Sequence, residues 1–337
     1  MTHGFLKAGA AILALATGSA EAGPVLYPDA AAFVAATAKG APIYTLSPAD
    51  AREVLHGAQS GPVAAPAVDI EDRTLPVGPT GTTKIRILRP AGLGDAAPAV
   101  VYFHGAGWVM GDTLTHDRLV REIAAGAGAV VIFVEYERSP EARYPVAVEQ
   151  DYAVTRHVAE HPEEFGIDPA RIAIAGDSVG GNMTAVVSLL AKERGAPALV
   201  AQLLFYPVTD AGLDTPSYAQ FAEGPWLTRA AMAWFWDQYL PEEAAREDIH
   251  VSPLNATPGQ LAGLPPALVI TSANDVLRDE GEAYAAKLIA AGVPTVQTRY
   301  AGTIHDFVML NALADLPGTR AAIAQATGFL RDRFAAR

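Results

Sequence analysis

The strongest constraint on the fold comes from a series of short apolar runs with no polar alternation. One of them, at residues 130–134, reads VVIFV. A strand with one face in water alternates between apolar and polar residues, whereas an unbroken apolar run is typical of a strand covered on both faces. Segments with helical periodicity, bounded by glycine or proline, lie between these runs. The alternation predicts an α/β fold with a mostly parallel sheet.

The same pattern gives the order of the elements along the chain. Strands are predicted at residues 68–75, 84–89, 99–103, 129–135, 171–175, 200–205, 267–271 and 295–300, and helices at residues 114–125, 145–160, 180–193, 279–291 and 319–334. Residues 28–60 look helical and residues 213–258 are rich in proline and aromatic residues. Because insertions of that length are more often lids than plain connections, we interpret the two segments as a cap. Residues 23–337 are predicted to form a single domain.

Composition excludes several classes of function. Lys and Arg number 24 against 37 Asp and Glu, so the formal net charge of −13 repels phosphate backbones, and nucleic acid is not expected as a partner. With 50% hydrophobic and 18% charged residues, the chain is too apolar for intrinsic disorder. Cysteine is absent, which excludes disulfides, thiolate metal sites and a cysteine nucleophile.

The amino-terminal residues 1–22 have the layout of a secretory signal peptide. A short polar start with Lys7 is followed by an apolar stretch at residues 8–16 and by Ala-Glu-Ala at residues 20–22. The pattern predicts cleavage before Gly23 and a periplasmic or secreted protein. The alternative is an Ala-rich tail that is never cut, in a cytoplasmic protein. The apolar stretch is far shorter than the ~20 residues that span a bilayer, and no membrane span is predicted elsewhere.

Residues 176–180 read GDSVG and lie between a predicted strand and a predicted helix. This is the G-x-S-x-G pattern in the strand–turn–helix context of a nucleophile elbow. Such a turn strains the backbone of the serine, and side chains at positions 176 and 180 would collide. The positive end of the following helix favours negative charge that develops on a substrate. An ordinary βα turn is the alternative, but the context favours Ser178 as a nucleophile.

A glycine-rich loop, HGAGW at residues 104–108, directly follows the predicted strand that ends at Phe103. Backbone N–H groups of a loop in this place stabilise an oxyanion in acyl transfer. A phosphate-binding loop is the alternative. It is disfavoured because neither the G-x-G-x-x-G fingerprint nor a G-K-[ST] ending is present.

A serine hydroxyl is a poor nucleophile, so a histidine must accept its proton and a carboxylate must orient that histidine. Asp275 and His305 both follow predicted strands, and they come after Ser178 in the chain. Serine, aspartate and histidine occur in this order in α/β-hydrolases.

Two other carboxylates compete with Asp275 for the orienting role. Asp279 has Glu282 three residues further on, at capping-box spacing, and is therefore interpreted as a helix N-cap. Asp306 adjoins His305, and adjacent side chains diverge on an extended backbone. Neither is expected to replace Asp275.

His157 and His161 match the H-x-x-E-H zinc pattern. Pro162 follows at once, which places both histidines in the last turn of a helix, where imidazoles are normally solvated. No third ligand is apparent, so no metal site is predicted.

Several stretches resemble the hormone-sensitive-lipase-like esterases, bacterial family IV of the α/β-hydrolase superfamily. The resemblance covers about residues 40–335. HGAG at 104–107 is similar to the His-Gly-Gly-Gly loop of that family, GDSVG at 176–180 to its Gly-Asp-Ser-Ala-Gly elbow, YERSPE at 136–141 to Tyr-Arg-Leu-Ala-Pro-Glu, DVLRDEG at 275–281 to Asp-Pro-Leu-Arg-Asp-Glu-Gly, and HDF at 305–307 to His-Gly-Phe.

The resemblance implies a carboxylesterase with an α/β-hydrolase fold, a helical cap, a small-molecule ester substrate, and no metal or organic cofactor. The implied site residues are Ser178 as nucleophile, His305 as general base and acid, Asp275 as the orienting carboxylate, and the N–H groups of Gly105, Ala106 and Val179 as the oxyanion hole. Dimers are common in the family, so a homodimer is an expected assembly. An amidase or deacetylase on the same triad and a non-catalytic ligand receptor are the alternatives.

Two residues depart from the family pattern. Ala106 replaces a glycine and Val179 replaces an alanine, and both additions crowd the predicted oxyanion pocket. The Trp residues at 226, 234 and 236 form either the core of the cap or a wall of the acyl pocket. Together these features predict a preference for short acyl chains, C2 to C6.

Overall fold

The computed structural model describes Met1 and residues 23–336. Apart from Met1, the predicted signal peptide at residues 1–22 lies outside the described residues. Within the described part of the chain, no helix combines the length and the apolar character needed to cross a bilayer.

Eight strands form one sheet in the order β1-β2-β4-β3-β5-β6-β7-β8. They are β1 (Val68–Leu75), β2 (Thr83–Pro90), β3 (Ala97–Phe103), β4 (Val130–Glu135), β5 (Ile167–Asp177), β6 (Ala201–Phe205), β7 (Ala267–Asn274) and β8 (Thr295–Ile304). β2 runs antiparallel to both of its neighbours, β1 and β4, and the remaining pairs are parallel. The predicted mostly parallel sheet of eight strands is confirmed.

The unbroken apolar runs lie in the middle of this sheet. β4 is buried at every residue except Glu135. Val131 in β4 pairs with Leu88 of β2 on one side and with Val100 of β3 on the other. Both faces are covered, since α3 packs with α11 and α4 packs with α6 against the sheet, so polar alternation has no place in these strands.

The helices begin and end close to the predicted positions. They are α1 (Pro28–Thr37), α2 (Pro48–Ala58), α3 (Asp117–Ala127), α4 (Val146–Glu160), α5 (Pro162–Phe165), α6 (Val179–Arg194), α7 (Pro216–Gln220), α8 (Arg229–Tyr239), α9 (Pro258–Leu261), α10 (Arg278–Ala290) and α11 (Pro317–Ala335). Side-chain capping explains where two of the helices begin. Ser47 caps α2 and Thr228 caps α8 through side-chain oxygens that accept backbone N–H groups.

The two segments interpreted as a cap are helical. Residues 28–60 contain α1 and α2, and residues 213–258 contain α7 and α8. The insertion lies between β6 and β7, and its helix α8 places the ring of Phe235 directly over Gly107. α8 also contacts the short 3₁₀ turn at Ile43–Thr45, between α1 and α2. The insertion therefore lies next to the loop that follows β3.

Candidate active site

The site lies where parallel strands end at one edge of the sheet. The segment after β3 begins with His104, Ser178 follows β5, Asp275 follows β7 and His305 follows β8. The carboxyl ends of parallel strands meet at the same edge, so residues far apart in sequence come together there.

Ser178 lies at a tight turn between β5 and α6. Its backbone has φ 53° and ψ −117°, a conformation that is strained for a residue with a side chain. A Cβ atom at Gly176 would overlap the carbonyl of Gly180, and one at Gly180 would overlap the carbonyl of Phe103. The collision expected from the sequence is therefore present, and glycine at both positions avoids it.

Ser178, His305 and Asp275 form a continuous line of hydrogen bonds. His305 Nδ1 is 2.7 Å from Asp275 Oδ2, and His305 Nε2 is 3.0 Å from Ser178 Oγ. Because a carboxylate only accepts hydrogen bonds, Nδ1 carries the proton of the neutral ring, and Nε2 accepts from the serine hydroxyl. All three residues are buried. The structure brings together the three residues that the sequence singled out.

Asp275 is itself fixed by the backbone. Its second oxygen, Oδ1, accepts the N–H of Leu277 at 3.0 Å. One oxygen therefore holds the turn before α10 while the other faces His305, which leaves the carboxylate little freedom to rotate.

The loop after β3 differs from the prediction at Gly105. Its N–H donates to Asp177 Oδ1 at 3.0 Å, so it is already paired and must be withdrawn from the predicted oxyanion hole. Within the described residues, the N–H groups of Ala106 and Gly107 have no acceptor, and Val179 at the first position of α6 has none inside its helix. The set of unpaired donors is thus Ala106, Gly107 and Val179.

The orientation of these donors follows from His104. Its Nδ1–H donates to the carbonyl oxygen of Gly105 at 2.9 Å. In a trans peptide the N–H points opposite to the carbonyl, so the N–H of Ala106 is turned away from His104. Burial, the main cause, lowers the pKa of His104 to about 3, which keeps the ring neutral as a single donor.

Asp177 connects this loop to the turn at Ser178, a role that the sequence does not reveal. Besides the Gly105 N–H, its carboxylate accepts the Tyr102 hydroxyl at 2.7 Å and lies 3.2 Å from His116 Nε2. Burial alone would raise the pKa of Asp177, but the charge and hydrogen bond of His116 and the Tyr102 hydroxyl lower it overall. The one indication of this role in the sequence is the aspartate at the second position of the GDSVG motif.

Comparison with known proteins supports the same fold. Residues 100–309 match the model of the alpha/beta hydrolase fold family. The chain belongs to the α/β-hydrolase family. Within it, the predicted similarity to the hormone-sensitive-lipase-like esterases is confirmed.

Individual relatives of this α/β-hydrolase are similar over most of their length. Carboxylesterase NlhH from Mycobacterium tuberculosis is 41% identical over 82% of this chain and 86% of its own. Esterase LipI from the same organism is 44% identical over 69% of this chain and 72% of its own. The crystal structure of a thermostable esterase from Pseudomonas putida has a TM-score of 0.91 and 49% identity, and covers 94% of this chain and 100% of its own.

The interpretation of Asp279 as a helix N-cap is wrong. In this α/β-hydrolase the N-cap position of α10 is Leu277, and Asp279 lies in the first turn. Its Oδ2 accepts the backbone N–H of Ser217 at 2.8 Å, while Glu282 pairs with Arg299 instead of the helix start. Asp279 thus holds α7 against α10 and does not contact His305.

Asp306 does not replace Asp275, but the reason given from the sequence fails. The backbone of Asp306 is left-handed, with φ 63°, and not extended. Its carboxylate therefore lies beside the ring of His305, with Oδ1 3.3 Å from Nε2.

The H-x-x-E-H histidines lie away from this site. His157 is in the last turn of α4 and His161 follows it, with ring centroids 4.4 Å apart. In the described part of the α/β-hydrolase, no group of three or more His, Cys, Asp or Glu side chains is arranged to hold a metal ion.

The cap tryptophans have different environments. Trp236 is fully buried and packs on Trp108 at a centroid distance of 4.7 Å, so it belongs to the hydrophobic core between α8 and the loop that follows β3. Trp226 is only partly buried, and its indole N–H donates to Asp306 at 2.9 Å. It lies at the site itself.

Proposed function

We propose that this protein is a serine carboxylesterase in which Ser178 is the nucleophile, His305 the general base and acid, and Asp275 the carboxylate that orients the histidine. The observation that carries the proposal is the hydrogen-bonded line of these three side chains. The class, a carboxylic ester hydrolase, follows from the family and from relatives named carboxylesterase and esterase.

The first half of the reaction acylates the serine. His305 Nε2 takes the hydroxyl proton as Ser178 Oγ attacks the ester carbonyl, and Asp275 stabilises the imidazolium. The C–O bond to the alcohol then breaks, and the alcohol leaves with the proton from Nε2. In the second half, water gives a proton to the same nitrogen as its oxygen attacks the acyl carbon. The bond between that carbon and Ser178 Oγ then breaks, Nε2 returns the proton to Oγ, and the acid is released.

The proposed oxyanion hole consists of the N–H groups of Ala106, Gly107 and Val179. These donors have no acceptor in the part of the chain that the structure describes, and two of them belong to a loop held by His104 and Asp177. Donors fixed in advance stabilise the oxyanion without reorganising during the reaction, and one such donor is worth roughly 10²–10³-fold in kcat.

Short acyl chains are the proposed substrates. Phe235 packs over Gly107, and the ring of Tyr206 lies 4.8 Å from that of His305, so aromatic side chains crowd the space beside Ser178. One methylene group changes binding by only ~1–3 kcal/mol, so we expect a graded preference. In a series of p-nitrophenyl esters, kcat/KM is expected to be highest between C2 and C6.

The same series separates the alternative functions, with Ser178→Ala as the matched control. A higher kcat/KM for the C12 ester than for the C4 ester would contradict the short-chain proposal. Faster cleavage of p-nitroanilides than of the matching esters would indicate an amidase. If the wild-type protein hydrolyses no ester of the series, or Ser178→Ala hydrolyses them equally well, the proposed function is wrong.

Removal of residues 1–22 on export is a separate expectation. Ala-Glu-Ala at residues 20–22 satisfies the small-residue rule for cleavage before Gly23. Intact-mass measurement on protein from the native host is expected to give a chain that starts at Gly23, outside the cytoplasmic fraction. A chain that retains Met1 or its neighbours in that fraction would rule out export by this route.

A further inference from the structure

A second carboxylate lies beside the histidine, on the side that faces the nucleophile. Asp306 Oδ1 is 3.3 Å from His305 Nε2, the same nitrogen that lies 3.0 Å from Ser178 Oγ. Asp306 Oδ2 accepts the indole N–H of Trp226 at 2.9 Å. Only 11% of the Asp306 side chain is exposed. A buried carboxylate therefore bridges the histidine and a residue of the cap.

The backbone of Asp306 makes this bridge possible. With φ 63° it lies in the left-handed region, which Asp and Asn enter more readily than most other residues. On an extended backbone the side chains of adjacent residues point to opposite sides, and the carboxylate would turn away from His305. The similar His-Gly-Phe motif has glycine at this position, so the conformation suits the motif and the carboxylate is an addition to it.

Trp226 is held in turn by the amino-terminal part of the cap. Its ring packs on Phe33 of α1 with a centroid distance of 5.0 Å and an angle of 53°. One indole thus connects α1, the insertion after β6 and the loop that carries His305. The bond to Asp306 fixes the carboxylate in place, since its other oxygen, Oδ1, has no hydrogen-bond partner within the described residues.

We propose that Asp306 is a positioning residue for the ester hydrolysis proposed above: held by Trp226, it stabilises the charged form of His305 and fixes the ring beside Ser178. During attack the serine proton moves to Nε2, which leaves a positive imidazolium between two carboxylates. An opposite charge within about 4 Å favours that form. Asp306 takes no proton in this step, and the proton on Nε2 goes on to the leaving alcohol.

The charges around His305 agree with this role. Asp275 faces it from the loop after β7, Asp177 from the end of β5, and the neutral ring of Tyr206 from the end of β6. Burial disfavours the imidazolium, but the charges of Asp275 and Asp306 outweigh it and raise the pKa of His305 to about 9. Burial also raises the pKa of Asp306, and the charge of His305 and the indole N–H partly offset that rise.

Two substitutions separate the charge from the hydrogen bond. Asp306→Asn removes the negative charge but keeps an oxygen that accepts the Trp226 N–H. Trp226→Phe removes that N–H but keeps an aromatic ring against Phe33. The pKa of His305 is measured by NMR titration of histidine-labelled protein, with the signal assigned through His305→Asn. The pH dependence of kcat/KM for a short-chain ester is measured on the same variants.

In Asp306→Asn, the His305 titration and the acidic limb of kcat/KM are both expected to move down by about one pH unit. The direction follows because His305 must be neutral to accept the serine proton, and a ring with one fewer negative neighbour stays neutral at lower pH. Trp226→Phe is expected to move both by less than half as much. If Asp306→Asn does not fold, Asp306→Gly provides the same test, because glycine adopts the left-handed backbone without strain.

An unchanged His305 titration in Asp306→Asn overturns the proposal, and so does an acidic limb that does not follow the titration. A purely structural role would lower the melting temperature without moving either one. The NMR readout does not depend on turnover. If the wild-type protein hydrolyses no ester, the proposed function fails, while the His305 titration still shows whether Asp306 stabilises the imidazolium.

Discussion

Asp275→Asn is expected to lower kcat for a short-chain ester by roughly 10⁴-fold while the protein stays folded. An amide in place of the carboxylate can donate to His305 Nδ1, which favours the tautomer with the proton on Nε2, where no serine proton can be accepted. The Asn side-chain oxygen can still accept the Leu277 N–H that Asp275 accepts at 3.0 Å, so the turn before α10 is retained. The melting temperature is expected to change little. Ester hydrolysis and thermal denaturation of the purified variant measure both effects.

Asp279→Ala is the matched control, four residues further along the chain. It removes the carboxylate that accepts the Ser217 N–H at 2.8 Å. The hydrogen bonds of His305 with Asp275 and Ser178 are not affected. Loss of a hydrogen bond to a charged group costs ~1–3 kcal/mol, so this variant should melt earlier and keep most of its kcat. If Asp279→Ala is inactive and Asp275→Asn is active, the orienting role belongs to Asp279.

Gly107→Ala is expected to lower kcat by roughly 10²–10³-fold, the size of a lost oxyanion donor. Gly107 has φ 70°, and a Cβ atom there would overlap the ring of Phe235. Either the loop or α8 must move, and movement of the loop displaces the N–H groups proposed to face the oxyanion. The measurement is kcat for a short-chain ester, with circular dichroism to check that the variant is folded.

A second substitution tests the physical cause. Phe235→Ala removes the ring that the new methyl group meets, so the double variant Gly107→Ala with Phe235→Ala should recover at least tenfold over Gly107→Ala. The left-handed backbone conformation does not by itself exclude alanine from this loop, since Ala106 already has φ 77°. Gly259→Ala is a neutral control, because nothing lies within 4 Å of a Cβ atom at that position. Wild-type kcat in Gly107→Ala would remove Gly107 from the proposed oxyanion hole.

The fold was predictable where burial leaves a direct mark on the sequence. β4 is buried on both faces, so its apolar run predicted both its position and its place in the middle of the sheet. Strand ends were less predictable. β5 begins at Ile167 and β8 ends at Ile304, so both strands are longer than the apolar stretches that predicted them. The added residues join the sheet through backbone hydrogen bonds, which do not depend on the side chain.

The site was predictable where chain order and strand ends decide it, as for Ser178, Asp275 and His305. The site was not predictable where the role of a residue depends on one long-range contact. The N–H of Gly105 is taken by a carboxylate 72 residues further along the chain, and Asp279 is held by a backbone group 62 residues before it. No periodicity or local motif encodes such partners, because they depend on how distant loops meet after folding.

The hydrogen bond from the Gly105 N–H to Asp177 is expected to affect how the site changes with temperature. Asp177 adjoins Ser178 in the chain and Gly105 adjoins Ala106, so the nucleophile and two of the proposed donors belong to one stiff unit formed by the ends of β3 and β5. The dipoles of these donors are aligned once, when the chain folds, and do not have to be realigned in each turnover. Asp275 follows β7 and His305 follows β8, and His305 contacts this unit at the Ser178 hydroxyl. Warming should therefore separate His305 Nε2 from Ser178 Oγ before it disorders the N–H groups of the proposed oxyanion hole. Turnover should then decline while an anionic mimic of the tetrahedral intermediate that contacts only these N–H groups still binds.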